Sequence, residues 1–351
     1  MKELQTSSNN TLYLDILRII ACFFVIVNHT NTYIFQHTEP SLTWFASITY
    51  FFFCKTAVPL FVMITGALLL DREETYKKTS RRIARIFSVI IFFSLLYYFE
   101  KNDWQISSFS LEDFIQKIYP GKITNAFWYL YLYLGIAAIL PVLQRTVKYL
   151  GKRDFLYYFI ITFGIVNLIP VLGIFDKGVE ISPLIFVAGF NSYSGMLLLG
   201  YYLEKHADIG KKHFVLSVVV FVVSTAANVI ATYYLYLNRS VNEGNYLQLD
   251  DRTMTSIVLP SVCLFCAAKY TCSHIKISDC AGLCIHTISR LTFGIYLLSD
   301  WLLIKMNYIY SKLYSMTHPL LAVVIYEIII FISGALITGV LKKLPVIKKL
   351  I

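Results

Sequence analysis

Charge is scarce in this sequence: Asp, Glu, Lys and Arg make up 15% of its 351 residues, against 57% hydrophobic. That balance excludes a soluble globule, and the length excludes a single membrane hairpin. Long polar stretches are missing too. No polar segment between apolar runs exceeds about 25 residues, roughly half of what an independently folding domain needs. Residues 1–351 therefore read as a single polytopic membrane domain with no separate soluble domain. The opening MKELQTSSNN lacks a basic stretch followed by an apolar core and a small-residue cleavage site, so no cleaved signal peptide is expected. No internal repeat of solenoid period and no low-complexity tract stand out.

Cysteine is present in an odd number, seven. Cys22, Cys54, Cys263 and Cys266 lie in apolar runs, where a free thiol behaves as a small hydrophobe. Cys272, Cys280 and Cys284 share a connecting segment with His274 and His286. These three contain no C-x-x-C pair of the kind zinc sites use, so the reading is reduced bystander thiols and no metal.

What is present in quantity is span-length apolar sequence. Runs long enough to cross about 30 Å of hydrocarbon fall at 12–34, 44–70, 83–99, 124–143, 155–172, 183–203, 214–236, 253–269, 287–306 and 319–341. The expected fold is an all-α integral membrane protein of about ten transmembrane helices. With both termini in the cytoplasm, 21 of the 31 Lys and Arg fall on the inner side and eight on the outer, leaving Arg18 and Lys55 within spans. Positive-inside bias sets that orientation. It also absorbs the net charge of +10 without nucleic acid, and membrane lipids are the expected surroundings. The outer connections 100–123 and 237–252 carry Asp103, Glu112, Asp113, Glu243, Asp250 and Asp251. They can meet a polar substrate, although such composition is ordinary for solvated loops.

The first run, LDILRIIACFFVIVNH, keeps three ionisable groups where lipid tolerates few. Arg18 and His29 are eleven residues apart, so at 100° per residue they differ by about 20° around the helix and by about 16 Å along it. Asp15 lies three residues before Arg18, where a carboxylate can stand beside the guanidinium. Snorkelling explains Asp15 and Arg18 near a helix end, but not His29. A histidine titrating near neutrality suits a general base that takes a proton from a hydroxyl. It equally suits a proton-coupled transporter, so the stripe marks a site without choosing the reaction.

A second constellation lies in DREETYKKTSRRIAR, where Lys78, Arg81, Arg82 and Arg85 are spaced to share a helix face. Arginine forks hold phosphate oxygens bidentately, which would bind a phosphorylated cytosolic molecule. Anionic lipid headgroups would attract the same residues. Lys55, just ahead of Pro59, reads either as a buried cation facing a site or as a snorkelling lysine. Trp128 and Tyr129 open a run where an aromatic belt is normal, and Asp300 and Glu327 sit in apolar runs without an assignable partner.

These residues together resemble the bacterial membrane acyltransferase-3 family, whose members O-acylate cell-envelope sugars. Asp15, Arg18 and His29 match its first-helix pattern, with ten residues between Arg and His. AVPLFVMITGALLL at 57–70 is similar to its second-helix signature, with Thr65 where Ser is more usual. Arg82 and Arg85 fit its Arg-x-x-Arg motif, FWYLYLYLGIAAILPVL at 127–143 its Trp-Tyr-Leu segment and LLLGYYL at 197–203 its Gly-Tyr segment. SRLTFGIYLLSDWLL at 289–303 resembles its Ile-Tyr-Leu helix, with Ser299 where many members have histidine.

The resemblance implies an O-acyltransferase of the bacterial cytoplasmic membrane with no permanently bound cofactor. Acetyl-CoA or another acyl-CoA would be the cytosolic co-substrate, and the acceptor a hydroxyl of a saccharide or lipid-linked saccharide. His29, Arg18 and Asp15 would be catalytic, Arg82, Arg85, Lys78 and Arg81 would bind acyl-CoA, and Lys55, Trp128, Tyr129 and Tyr296 would contact substrate. The alternative in a different class is a saccharide transporter or flippase using the Arg18/His29 stripe. Transport needs no Arg-x-x-Arg face, and the inverted repeats of many transporters are not evident.

Overall fold

The computed structural model describes residues 11–105, 107, 109–119, 121, 123–176, 178–179, 182, 189–238 and 246–351. The amino-terminal decapeptide with Lys2, the outer-side residues Lys122, Lys177, Arg239 and Glu243, and the start of the 183–203 run lie outside the described residues.

Helices α1 (Leu12–Thr30), α2 (Leu42–Cys54), α3 (Ala57–Leu69), α4 (Tyr76–Lys101) and α5 (Trp128–Thr146) come first. α6 (Lys152–Phe159) runs on into a π-helical stretch, Ile160–Val166. Then follow α7 (Ser192–Lys205), α8 (Lys211–Leu237), α9 (Thr255–His274), α10 (Asp279–Ser289), α11 (Thr292–Lys305), α12 (Pro319–Leu341) and α13 (Pro345–Leu350). No strand occurs among the described residues.

Among the described residues, seven spans are long and apolar enough to cross a membrane, and the pair α10 and α11, bent by 52°, makes an eighth if it is one span. In the two other expected runs the described helices do not reach that measure. α5 is interrupted in its apolarity by Tyr129, Tyr131, Tyr133, Gln144 and Arg145. Of the 183–203 run only α7, 14 residues, is described as helix.

The expected run 44–70 is two helices rather than one, broken at Lys55–Thr56. Pro59 is the cause. Its ring has no N–H for the carbonyl of the residue four positions earlier, which is Lys55, and would clash with it. The break frees the Cys54 carbonyl, and Asn28 Nδ2 of α1 donates to it at 2.9 Å.

α1 is the central element, packed against α2, α3, α9, α10, α11 and α12. Leu14, Leu17, Ala21, Ile26 and Val27 are buried in those contacts. At the periphery the pattern inverts, as lipid requires: Val215, Val219, Val222, Val223 and Ile230 of α8 are exposed. α3 crosses α7 at close range. A Cβ on Gly66 would lie 1.8 Å from the Leu197 carbonyl oxygen, and one on Gly200 1.9 Å from that of Met63. Only glycine lets the two backbones approach so closely.

Candidate active site

Enclosed by α1, α3, α4, α5 and α11, with residues 250–252 from the segment before α9, is a cavity of about 610 Å³. Its lining includes Arg18, His29, Lys55, Arg82, Arg85, Trp128, Tyr129 and Tyr296. Residues from five separate sequence motifs thus share one space. Since Arg18 and His29 stand about 16 Å apart along α1, the cavity follows the helix for about three turns.

At the Arg18 end, Asp15 lies behind the lining and holds the arginine. Arg18 Nη1 is 3.1 Å from Asp15 Oδ1 and donates to Ser289 Oγ at 3.0 Å, while Ser289 Oγ donates to Asp15 Oδ1 at 2.6 Å. His286 Nδ1 is 3.0 Å from Asp15 Oδ2, which takes His286 into this network. Ser289 and His286 were not visible as partners in the sequence because they lie 274 and 271 residues from Asp15.

The arginines of α4 enter the same end. Arg82 Nη2 is 2.6 Å from Oε1 of Glu74, a carboxylate with no exposed side-chain surface. Among the described residues, Arg82 Nη1 is buried without a hydrogen-bond partner, as is Glu74 Oε2. The turn holding Glu74 is itself pinned: its N–H donates to Gln144 Oε1 at 3.3 Å, and Gln144 Nε2 donates to the Leu69 carbonyl at 2.8 Å. Arg85 Nε donates to the Leu350 carbonyl at 3.1 Å. Lys78 is one turn earlier, at the solvent-exposed edge, 3.5 Å from Glu74 Oε1. Neither Lys78 nor Arg81 lines the cavity, and both are exposed. The expected basic face therefore divides, with Arg82 and the still exposed Arg85 lining the cavity.

At the other end, His29 has Lys55, Arg252 and Asp300 as its charged neighbours. Its ring receives no hydrogen bond among the described residues. The end of α1 that carries it is held from the next residue: Thr30 Oγ1 donates to Glu327 Oε1 at 2.6 Å, and Tyr50 OH donates to Glu327 Oε2 at 2.8 Å. Glu327 is fully buried, and both its oxygens are satisfied, tying the end of α1 to α2 and α12. Asp300 accepts from Thr124 Oγ1 at 2.5 Å and from the Ala126 N–H at 3.2 Å, fixing the turn that precedes Trp128.

Lys55 pairs with Asp250 at 3.1 Å and lies over the Phe51 ring. Arg252 stacks on Trp128 with its guanidinium carbon 3.8 Å from the ring centre. Tyr129 packs edge-on against Tyr296 and at a tilt against Phe61, with ring centres 5.8 Å apart in the second pair, and Tyr296 OH donates to the Ala126 carbonyl. The need of Lys55 for a counter-charge was the available signal for Asp250; nothing local in the sequence chose it over other outer carboxylates.

Residues 11–339 match a family model described as an acyltransferase domain, that of the membrane acyltransferase-3 family. The chain belongs to the acyltransferase-3 family. It is accordingly a multi-pass membrane acyltransferase. No curated protein and no solved structure matches it. The acyltransferase-3 motifs do different physical work here. Gly66 and Gly200, from the 57–70 and 197–203 segments, make the close α3–α7 crossing, whereas Arg18, His29, Arg82, Arg85 and Trp128 face the cavity. Ser299, standing where many acyltransferase-3 members have histidine, is fully buried and donates to the Tyr296 carbonyl at 2.8 Å. It is absent from the cavity lining.

Proposed function

We propose that this acyltransferase moves an acyl group, acetyl being the expected one, from cytosolic acyl-CoA to a hydroxyl of a cell-envelope saccharide or its lipid-linked precursor. It would do so in a bacterial cytoplasmic membrane, with both termini and the 71–85 segment facing the cytoplasm. The observation that carries this reading is the single cavity joining Arg82 and Arg85 to His29. Phosphates held by the arginine forks at one end leave the pantetheine arm to extend beside α1, which brings the thioester toward the histidine.

In this reading His29 accepts the proton of the acceptor hydroxyl as the oxygen attacks the thioester carbonyl carbon. Collapse of the tetrahedral adduct breaks the carbon–sulfur bond, and the departing thiolate takes the proton back from His29, which restores the base. The products are an ester and free coenzyme A thiol. Asp15 acts through Arg18, whose guanidinium it orients. Tyr129, Trp128 and Tyr296 shape an apolar wall, which limits access of water as a competing acceptor.

The test is release of free thiol from acetyl-CoA by the chain purified into nanodiscs, with the saccharide fraction extracted from its native membranes as acceptor. Acceptor-dependent thiol release is expected. Saccharide movement across vesicles without any acyl donor, and with no thiol released, would replace the enzyme reading with the transporter reading.

A further inference from the structure

The composition of the 237–252 connection is that of a solvated loop, yet residues 246–254 are held firmly. Leu249 is buried against α2 and α8, and Tyr246 OH donates to the Phe35 carbonyl at 3.0 Å. Asp251 Oδ1 accepts from both the N–H and the hydroxyl of Thr253 at 2.7 Å, closing the turn into α9. Anchored on both sides, the segment delivers Asp250 and Arg252 into the cavity at its His29 end.

The groups it places there are only partly used. Asp250 engages Lys55 through Oδ2, which leaves Oδ1 as an acceptor. Arg252 gives the face of its guanidinium to Trp128, and a stacked guanidinium keeps its edge N–H groups for donation. Asn28 lines the same cavity. Its Nδ2 is committed to the Cys54 carbonyl, and its Oδ1 is buried with no partner among the described residues. A buried acceptor left unsatisfied costs free energy that a ligand hydroxyl would recover.

We propose that Asn28, Asp250 and Arg252 form a polyol-binding subsite that holds a saccharide acceptor with one hydroxyl presented to His29. The chemistry fits a hydroxyl-rich ring: Asn28 Oδ1 and Asp250 Oδ1 accept from hydroxyls, and the edge of Arg252 donates to hydroxyl or ring oxygens. This assignment rests on the acyl-transfer reading for the role of His29, but the binding itself does not need an acyl donor.

The experiment measures retention of saccharide by the full chain in nanodiscs without acetyl-CoA. The probe is the saccharide pool extracted from the native membranes of cells grown on radiolabelled glucose. Wild type should retain the label, and periodate oxidation of the pool, which cleaves vicinal diols, should abolish retention. Asp250→Asn and Arg252→Gln should each weaken retention about tenfold, the loss of one charge-assisted hydrogen bond, while coenzyme A binding stays at the wild-type level. Because Asp250→Asn leaves Lys55 without its counter-charge, Lys55→Gln/Asp250→Asn is measured beside it, and it too should lose retention. Equal retention by wild type and variants, or none above empty nanodiscs, overturns the subsite. Retention without transfer of acetyl from acetyl-CoA to the same pool would instead sink the enzyme reading and leave the subsite standing.

Discussion

Glu74, whose side chain has no exposed surface, holds Nη2 of Arg82 at 2.6 Å. A buried carboxylate therefore aims one of the two arginines that reach the cavity. Removing one partner of a buried pair costs about 3–5 kcal/mol, because the other charge is left unpaired. Glu74→Ala should lower the unfolding temperature in detergent and raise the KM for acetyl-CoA. Glu74→Gln, which keeps one hydrogen-bond acceptor, should recover much of the stability and less of the KM. Unchanged KM in both variants would leave Glu74 a purely structural residue.

The four basic residues at the start of α4 should separate into two classes. Arg82 and Arg85 line the cavity, whereas Lys78 and Arg81 are exposed outside it. Arg82→Ala or Arg85→Ala should weaken coenzyme A binding about tenfold, the worth of one charge-assisted contact. Lys78→Ala and Arg81→Ala should stay within about twofold, as exposed charges do. Isothermal titration reads all four, and equivalent mild losses would favour lipid-headgroup attraction for the whole face.

His29→Gln should cut acyl transfer by about 10² to 10⁴, the typical contribution of a general base. Glutamine keeps a hydrogen-bonding group but cannot take up a proton at neutral pH. Coenzyme A affinity should be preserved, since Arg82 and Arg85 lie at the other end of the cavity. Near-normal turnover by a well-folded His29→Gln chain would leave the histidine an orienting group.

Gly66→Ala and Gly200→Ala should each destabilise the chain by at least the 1–3 kcal/mol usual for overpacking. The added methyl meets a backbone carbonyl oxygen at 1.8 or 1.9 Å, and no side chain can swing aside to relieve it. Thermal unfolding in detergent checks this. Gly135→Ala, with open space around the added carbon, is the matched control and should be neutral or mildly stabilising.

The 21 to 8 division of Lys and Arg predicts that Thr75 faces the cytoplasm. A thiol introduced as Thr75→Cys, with the exposed Cys280 and Cys284 replaced by serine, should resist an impermeant reagent in intact cells and react in inverted vesicles. Labelling in intact cells would reverse the orientation and remove the cytosolic donor.

The sequence by itself determined the membrane class, the family and the stripe on α1. Each rests on relations within a single segment. Helical period fixes which neighbours share a face, so Asp15, Arg18 and His29 could be aligned from spacing alone, and Pro59 carried the information for the break at Lys55. The tertiary structure decided which groups complete the site. Lys55 found Asp250 195 residues away, Thr30 found Glu327 297 residues away, and Asp15 found Ser289 and His286 across the bundle. No periodicity links such pairs. They form because a polar group in a low-dielectric interior must be satisfied by whatever the packing brings within reach, and the packing depends on helix crossings such as Gly66 over Leu197. The same reason divided the basic face of α4, where only Arg82 and Arg85 enter the space that α1, α5 and α11 leave open.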